Sequence, residues 1–339
     1  MLRVVFMGSD AIALPALNWM ADKGAGQAEI VAVFTQPDRA AGRGQKIQPN
    51  EIKQWAVARG LPVLQPAKVG IAEREQLAAF KPDLTLVMAY GHILKQDVID
   101  TPRLGTLNLH TSILPAYRGA SPIQTAITSG ETETGVTLMR MVLKLDAGPV
   151  ADVERVVIEP LDTAATVEAK LSQACVPLLA RCLPAIANGT QAFKVQDEAS
   201  ATFCRRLEKG DGVLDFQLPA SLLAARINGL MPWPACTVEI GGQLVKLGLA
   251  DSFPENSTAA AGEIIGSDPS GLLVGTGKGV LRLRLLQRPG GRLLPAGEFL
   301  RGFPVGPGTQ LSSRSMPPLV AREPFPRMKP QSSSATSDS

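Results

Sequence analysis

Histidine and cysteine are scarce. The 339-residue chain holds two histidines, His92 and His110, and four cysteines, at 175, 182, 204 and 236, with no CxxC pair. That poverty argues against a histidine-rich metal site or a cysteine zinc ribbon, so no metal is expected. Thinly scattered cysteines fit a reducing compartment. Aromatic residues make up only 4% of the chain, so a surface that stacks single-stranded bases is a weak expectation. Excess charge is missing too. Lys and Arg number 34 against 31 Asp and Glu, a net charge of +3, so any basic surface must be local. No apolar run approaches the ~18 residues of a membrane span. The opening MLRVVFMGSD carries a short apolar run that reads as a buried strand, too short for a signal-peptide core.

Apolar residues at 45% and charged residues at 19% allow a sizeable core. A length of 339 residues predicts two domains at roughly 150 residues each. The first half alternates strand-like and helix-like patterns. Strands are predicted at 2–7, 30–35, 83–88, 104–110, 136–142 and 149–158. A helix is predicted from Pro15 to about Asp22, and a long one from Thr163, its N-cap, to about Leu183, with Pro184 as stop or kink. Such alternation predicts an α/β domain with a doubly wound, mostly parallel sheet, which binds ligands beyond the carboxyl ends of its strands. Beyond residue 189 the pattern changes. Residues 190–206 lack a clear period and read as a linker. Residues 207–314 give short strands with glycine punctuation, including a Gly241-Gly242 hairpin turn, and predict a small β-barrel. The Pro- and Ser-rich stretch 315–339 is expected to be disordered. Two glycine-rich decoys fall away: GTGKG at 275–279 precedes a strand and lacks phosphate-loop spacing, and GSD at 8–10 is not a dinucleotide fingerprint.

The chemistry concentrates in two stretches. In GTLNLHTSILPAYRGASPI, residues 105–123, Asn108 and His110 stand two apart on a predicted strand and so share a face. They lie at the carboxyl end, where this fold places ligands. A lone histidine is more often a core residue; the pairing at this place favours a site. Ser112, Ile113, Leu114 and Pro115 then form an irregular loop whose backbone can meet a ligand. Arg118 either binds an acid or points to water. In GVTLMRMVLKLDAGPV, residues 135–150, Asp146 is either a plain turn residue or a carboxylate brought beside His110, where it would favour the charged imidazole.

NLHTSILPAYRGASPI resembles the NxHxSLLPxxRGxxPI segment of the folate-dependent formyltransferases, and the stretch ending LDAG resembles that family's second signature. FTQPDRAAGRGQK at 34–46 resembles the loop of those members that formylate methionyl initiator tRNA. NGLMPWPACTVEIGGQLVKL at 228–247 and LQRPGGRLLPAGEFLRGFPVGPG at 286–308 resemble the family's second domain. The resemblance covers nearly all of residues 1–311. Thr111 stands where Ala or Gly is usual, and Leu230-Met231 replaces Phe-Asn before Pro232-Trp233.

The resemblance implies a formyltransferase domain at 1–189 and an OB-like tRNA-binding domain at 207–314. It implies formyl transfer from 10-formyltetrahydrofolate to initiator methionyl-tRNA by Asn108, His110 and Asp146. The folate would lie along Met88, Tyr90 and Gly91 and along Ser112–Pro115, with Ile93 and Leu94 near the pterin or in the core. His92 reads as structural or surface. For the tRNA the candidates are Arg39, Arg43 and Lys46 in the basic loop, and Arg282 and Arg284 on a predicted strand. There Leu281, Leu283 and Leu285 would face the core and the arginines outward. The alternative acceptor is a small amine such as an amino sugar nucleotide. A cytoplasmic monomer, not associated with a membrane, completes the expectation.

Overall fold

The computed structural model describes residues 1–24, 26–41, 44, 46–254 and 258–326. The first domain begins with β1 (Leu2–Gly8), α1 (Leu14–Ala21) and β2 (Ala28–Phe34). A short antiparallel pair follows, β3 (Arg39–Ala41) and β4 (Lys46–Gln48). Then come α2 (Glu51–Ala58), β5 (Val63–Leu64), α3 (Ile71–Ala79), β6 (Leu84–Met88) and α4 (Gln96–Ile99). The domain continues through β7 (Thr106–His110), β8 (Arg118–Gly119), α5 (Pro122–Thr128), β9 (Glu133–Arg140), β10 (Val150–Val157) and α6 (Ala164–Ala187).

Seven strands form one sheet in the order β10-β9-β7-β6-β1-β2-β5. The stretch from β7 to β5 is parallel, and β9 and β10 join antiparallel. Alternation along β1 explains the two layers of helices. Val4 and Phe6 pack into one core with Leu17 of α1, Ile52 of α2 and Leu171 of α6. Val5 and Met7 pack into a second core with Leu77 of α3 and Val98 of α4. With both faces covered, β6 (LTLVM) is buried throughout, as a parallel strand should be. From β1 the chain moves outward on one side through β2 to β5, then crosses back to β6 on the other side of β1. The switch point therefore lies over the carboxyl ends of β1 and β6.

The second part contains β11 (Phe203–Cys204), α7 (Ala220–Gly229), β12 (Cys236–Ile240), β13 (Gln243–Phe253), β14 (Ile264–Asp268) and β15 (Gly271–Gly275). It ends with β16 (Val280–Gln287), β17 (Leu294–Pro295), α8 (Ala296–Gly302) and β18 (Val320–Ala321). An antiparallel sheet in the order β12-β13-β16-β15-β14, with β17 on β16, surrounds a separate core with α7 and α8. This is the β-rich second domain of the expected two-domain class, and Gly241-Gly242 does connect β12 to β13.

Four expectations are corrected. Thr163 caps α6 as expected, but the helix runs through Pro177 and Pro184 to Ala187. Burial of Leu183 and Ile186 holds the last turn despite the missing donor at Pro184. The supposed linker is docked: β11 pairs in parallel with β8, and Gln196 is buried. The supposed disordered tail is ordered where it is described. Residues 313–321 run along the second core, and β18 pairs with β11; residues 327–339 lie outside the described residues. On β16, Leu281 and Leu283 face the core, but a register shift opposite Leu249 and Ala250 moves the buried position from Leu285 to Leu286.

Candidate active site

Asn108 and His110 project from the last turn of the pleat in β7. Asn108 lies opposite Val87 of β6 and Met139 of β9, and His110 opposite Thr137. The Asn108 side chain is half-buried and has no hydrogen-bond partner among the described residues. It is free to donate. His110 is buried, and its Nε2 lies 3.0 Å from the Tyr117 carbonyl oxygen. A carbonyl only accepts, so Nε2 carries hydrogen in this contact. Nδ1, the other nitrogen, faces Asp146 Oδ2 at 3.8 Å. That distance exceeds a direct hydrogen bond but leaves the carboxylate facing the ring nitrogen. The ring is thus oriented by Tyr117, and Asp146 contributes charge at close range.

Asp146 is itself held. Its Oδ2 accepts from the Gly119 amide at 2.8 Å, and its backbone carbonyl accepts from Gln196 Nε2 at 2.9 Å. Its φ is +45°, in the left-handed region that Asp tolerates better than most residues. The D-A-G turn needs glycine for a steric reason: a Cβ on Gly148 would stand 1.8 Å from the Arg140 carbonyl oxygen. Gly119 is constrained in the same way. Its φ is +123°, and a Cβ there would meet the Cys204 carbonyl oxygen at 2.1 Å. Arg118 points inward, not to water. Its guanidinium is fully buried and bonds Gln196 and Glu198.

A crevice of about 310 Å³, which none of Asn108, His110 and Asp146 lines, opens one strand over, at the ends of β1, β2 and β6, and is lined by Ser9, Asp10, Gln36, Arg39, Ala89, Tyr90, Gly91 and Arg206. This is the switch-point position. Gln36 organises one wall: its amide donates to the Tyr90 carbonyl at 3.0 Å, and its oxygen accepts from Arg39 at 2.8 Å. Of the proposed donor-binding residues, Tyr90 and Gly91 reach the crevice, whereas the Met88 side chain is buried in the core against Cys175. Leu94 is also core, and Ile93 is exposed. His92 packs edge-on against Tyr90. The Ser112–Pro115 loop is tied to itself and its neighbours. The carbonyls of Ser112, Ile113 and Pro115 and the amide of Leu114 already have partners. Among the described residues, the Leu114 carbonyl has none.

The basic candidates divide. Arg39 and Lys46 are exposed, and Arg43 lies outside the described residues. Arg282 departs from expectation. It is pinned by Asp251 at 2.6 Å and Asp268 at 3.0 Å, and Arg284 leans on Asp251 at 3.4 Å. The acids that neutralise this face come from β13 and β14, so the sequence around the arginines themselves does not reveal them. Arg206 was missed because it sits in a stretch read as a linker. Among the described residues, no group of His, Cys, Asp and Glu has the makings of a metal site.

A sequence profile described as "Formyl transferase" matches residues 2–183, and one described as "Formyl transferase, C-terminal domain" matches 206–304. Residues from 305 onward lie outside both. The chain is 43% identical over 294 residues to the methionyl-tRNA formyltransferase of Ectopseudomonas mendocina (strain ymp), covering 86% of this chain and 92% of that one. It is 40% identical over 300 residues to that of Methylococcus capsulatus, covering 88% and 96%. Among solved structures, the N-formyltransferase of Helicobacter canadensis, in complex with folinic acid and dTDP-3-aminofucose, superposes with a TM-score of 0.63 at 18% identity, covering 84% and 99%. HypX of Aquifex aeolicus in complex with tetrahydrofolic acid gives 0.58 at 17% identity, covering 92% and 51%. At such identity these structures share the fold.

Proposed function

The chain belongs to the formyltransferase family, and from that premise we propose that Asn108, His110 and Asp146 carry the transfer of a formyl group from 10-formyltetrahydrofolate to the α-amino group of methionyl initiator tRNA. The observation that supports these roles is the approach of His110 and Asp146 at the end of the strand that carries the unpartnered Asn108 amide on the same face, one strand over from the switch-point crevice. The amine nitrogen forms the new C–N bond with its lone pair, and the formyl oxygen takes the charge. The Asn108 amide donates to that oxygen, an interaction typically worth ~10²–10³ in rate. His110 accepts the proton that the amine releases and passes it to the folate nitrogen as the older C–N bond breaks, typically worth ~10²–10⁴. Asp146 steadies the imidazolium between those two events. The scheme uses no cysteine nucleophile: all four thiols are buried, and burial pushes Cys175, Cys204 and Cys236 up to about 12 and Cys182 to about 11.

The folate lies between the Met88–Gly91 turn and the Ser112–Pro115 loop, with Tyr90 and Gly91 at the crevice wall and the Leu114 carbonyl as an acceptor. Arg39, Lys46 and Arg206 meet acceptor-end phosphates, which set position more than sequence. We assign the reaction to a monomer in the cytoplasm. Among the described residues, no helix is long and apolar enough to cross a membrane. The amino-sugar alternative gives way because the relatives close in sequence are named for the charged tRNA.

Incubation with 10-formyltetrahydrofolate and methionyl initiator tRNA, with free methionine and an amino sugar nucleotide as parallel acceptors, is expected to give formylated tRNA alone. Formylation of the sugar alone overturns the reading. Asn108→Ala is expected to lower kcat by ~10²–10³ with unchanged melting. Near-normal turnover removes its role.

A further inference from the structure

Three short strands from distant parts of the chain form a small sheet in the order β18-β11-β8. Its inner strand, β8, and the residue before it carry both groups that hold the catalytic side chains. The Tyr117 carbonyl meets His110 Nε2, and the Gly119 amide meets Asp146 Oδ2. The middle strand holds β8 in place: Cys204 pairs with Gly119, the Tyr117 amide donates to Thr202 Oγ1 at 2.9 Å, and the Arg118 amide donates to the Thr202 carbonyl at 2.9 Å. The outer strand pairs Val320 with Cys204 and Ala321 with Phe203.

The segment leading into β18 is anchored. Ser313 Oγ accepts from the Phe216 amide at 2.8 Å, and the Arg314 amide donates to the Leu214 carbonyl at 2.8 Å. Two successive proline carbonyls accept from two arginines: Pro317 from Arg226 at 3.1 Å and Pro318 from Arg205 at 3.2 Å. Arg226 is buried, and among the described residues its guanidinium has no carboxylate partner and meets the carbonyls of Asp211 and Pro317 instead. Leaving such a donor unpaired is costly, so the segment has a reason to stay. Leu319 inserts into the second core. A two-residue pair such as β8–β11 is marginal alone, and a third strand is what such a ribbon lacks.

We propose that residues 313–321, beyond the stretch matched to the family, form a positioning element for formyl transfer. By completing this sheet they hold the Tyr117 carbonyl and the Gly119 amide, and through these His110 and Asp146, in working register. The proposal rests on the catalytic roles assigned above. Displacement of about 1 Å at such a site can cost ~10² in rate.

The test uses the full chain with Val320→Pro/Ala321→Pro, which removes both β18 amides without touching the core, and separately Leu319→Asp, which unseats the anchor. Single-turnover formylation of charged initiator tRNA is expected to slow by about tenfold or more at full amplitude, with KM for tRNA unchanged. Hydrogen exchange at the Gly119 amide is expected to quicken. An unchanged rate constant with unchanged Gly119 protection in the double-proline variant overturns the proposal. Reduced amplitude at an unchanged rate constant also overturns it, because that marks lost folded protein and no misplacement. Asn108→Ala in the intact chain runs alongside. Normal turnover there defeats the site reading itself, whereas failure of the proline variant alone leaves that reading standing.

Discussion

Arg118 stands in the middle of the strongest sequence signal, yet it belongs to the scaffold. Sequence alone left it between binding an acid and facing water. In the structure it is sealed against Glu198 and Gln196, and Gln196 in turn donates to the carbonyls of Asp146 and Gly148. Arg118 first, and Lys144 second, hold the Glu198 carboxyl down to about 2 from 4.5. A folded value below the unfolded one adds stability that is fully present above about pH 4.5 and is lost as pH falls toward 2. Glu198→Gln is therefore expected to be less stable than the parent at neutral pH. The gap should close across that acidic window, as read from urea midpoints at a series of pH values. A gap that stays constant with pH would show that the ion pair contributes nothing. Asn108 and His110 were legible because strand alternation fixes which residues share a face. The tie between His110 and Tyr117 was not, because a backbone carbonyl leaves no mark in the sequence.

At the scale of elements, the turn 145–148 transmits a backbone constraint to Asp146, to which we assign a part in the transfer. Gly148→Ala forces a Cβ toward the Arg140 carbonyl oxygen, against a 1.8 Å approach, so the turn must move and take Asp146 with it. The expected result is a fall in kcat of about 10², with KM for tRNA little changed, measured by steady-state formylation. A variant as fast as the parent would separate Asp146 placement from this turn. Longer elements were readable from sequence and shorter ones were not. β1, β6, β7 and α6 carry enough apolar positions to show a period. β8, β11 and β18 have two residues each, no period at all, and exist because they pair with one another. On β16 the alternation is present in the sequence, but the register shift that moves burial to Leu286 is set by its partner strand.

For the whole molecule, the question is which basic residues face an RNA. Arg39 sits at the crevice with no carboxylate bonded to it among the described residues, whereas Arg282 stands between two aspartates and over the Phe253 ring, 4.2 Å away. Arg39→Ala is expected to weaken tRNA use and to lower the salt slope of binding by about 0.7–0.9, one phosphate contact. Arg282→Ala is expected to leave that slope unchanged and to cost about 1–3 kcal/mol of stability, read by chemical denaturation. The opposite pattern would move the RNA face to the second domain. The two-domain plan was visible in the change of period near residue 189. The docking of 190–206 onto the first domain, and of 313–321 onto β11 and the second core, was not, because contacts between distant parts of the chain obey no local pattern.

The three-stranded sheet also bears on how the protein is made. Phe203 and Val320, which border its middle and outer strands, are separated by more than a hundred residues of chain. At ~5–20 residues per second, β11 leaves the ribosome on the order of ten seconds before its outer partner exists. A nascent chain in that interval already holds Asn108, His110 and Asp146, to which we assign the chemistry. A polypeptide released early by a stalled ribosome would keep them all and still lack the piece that seats them.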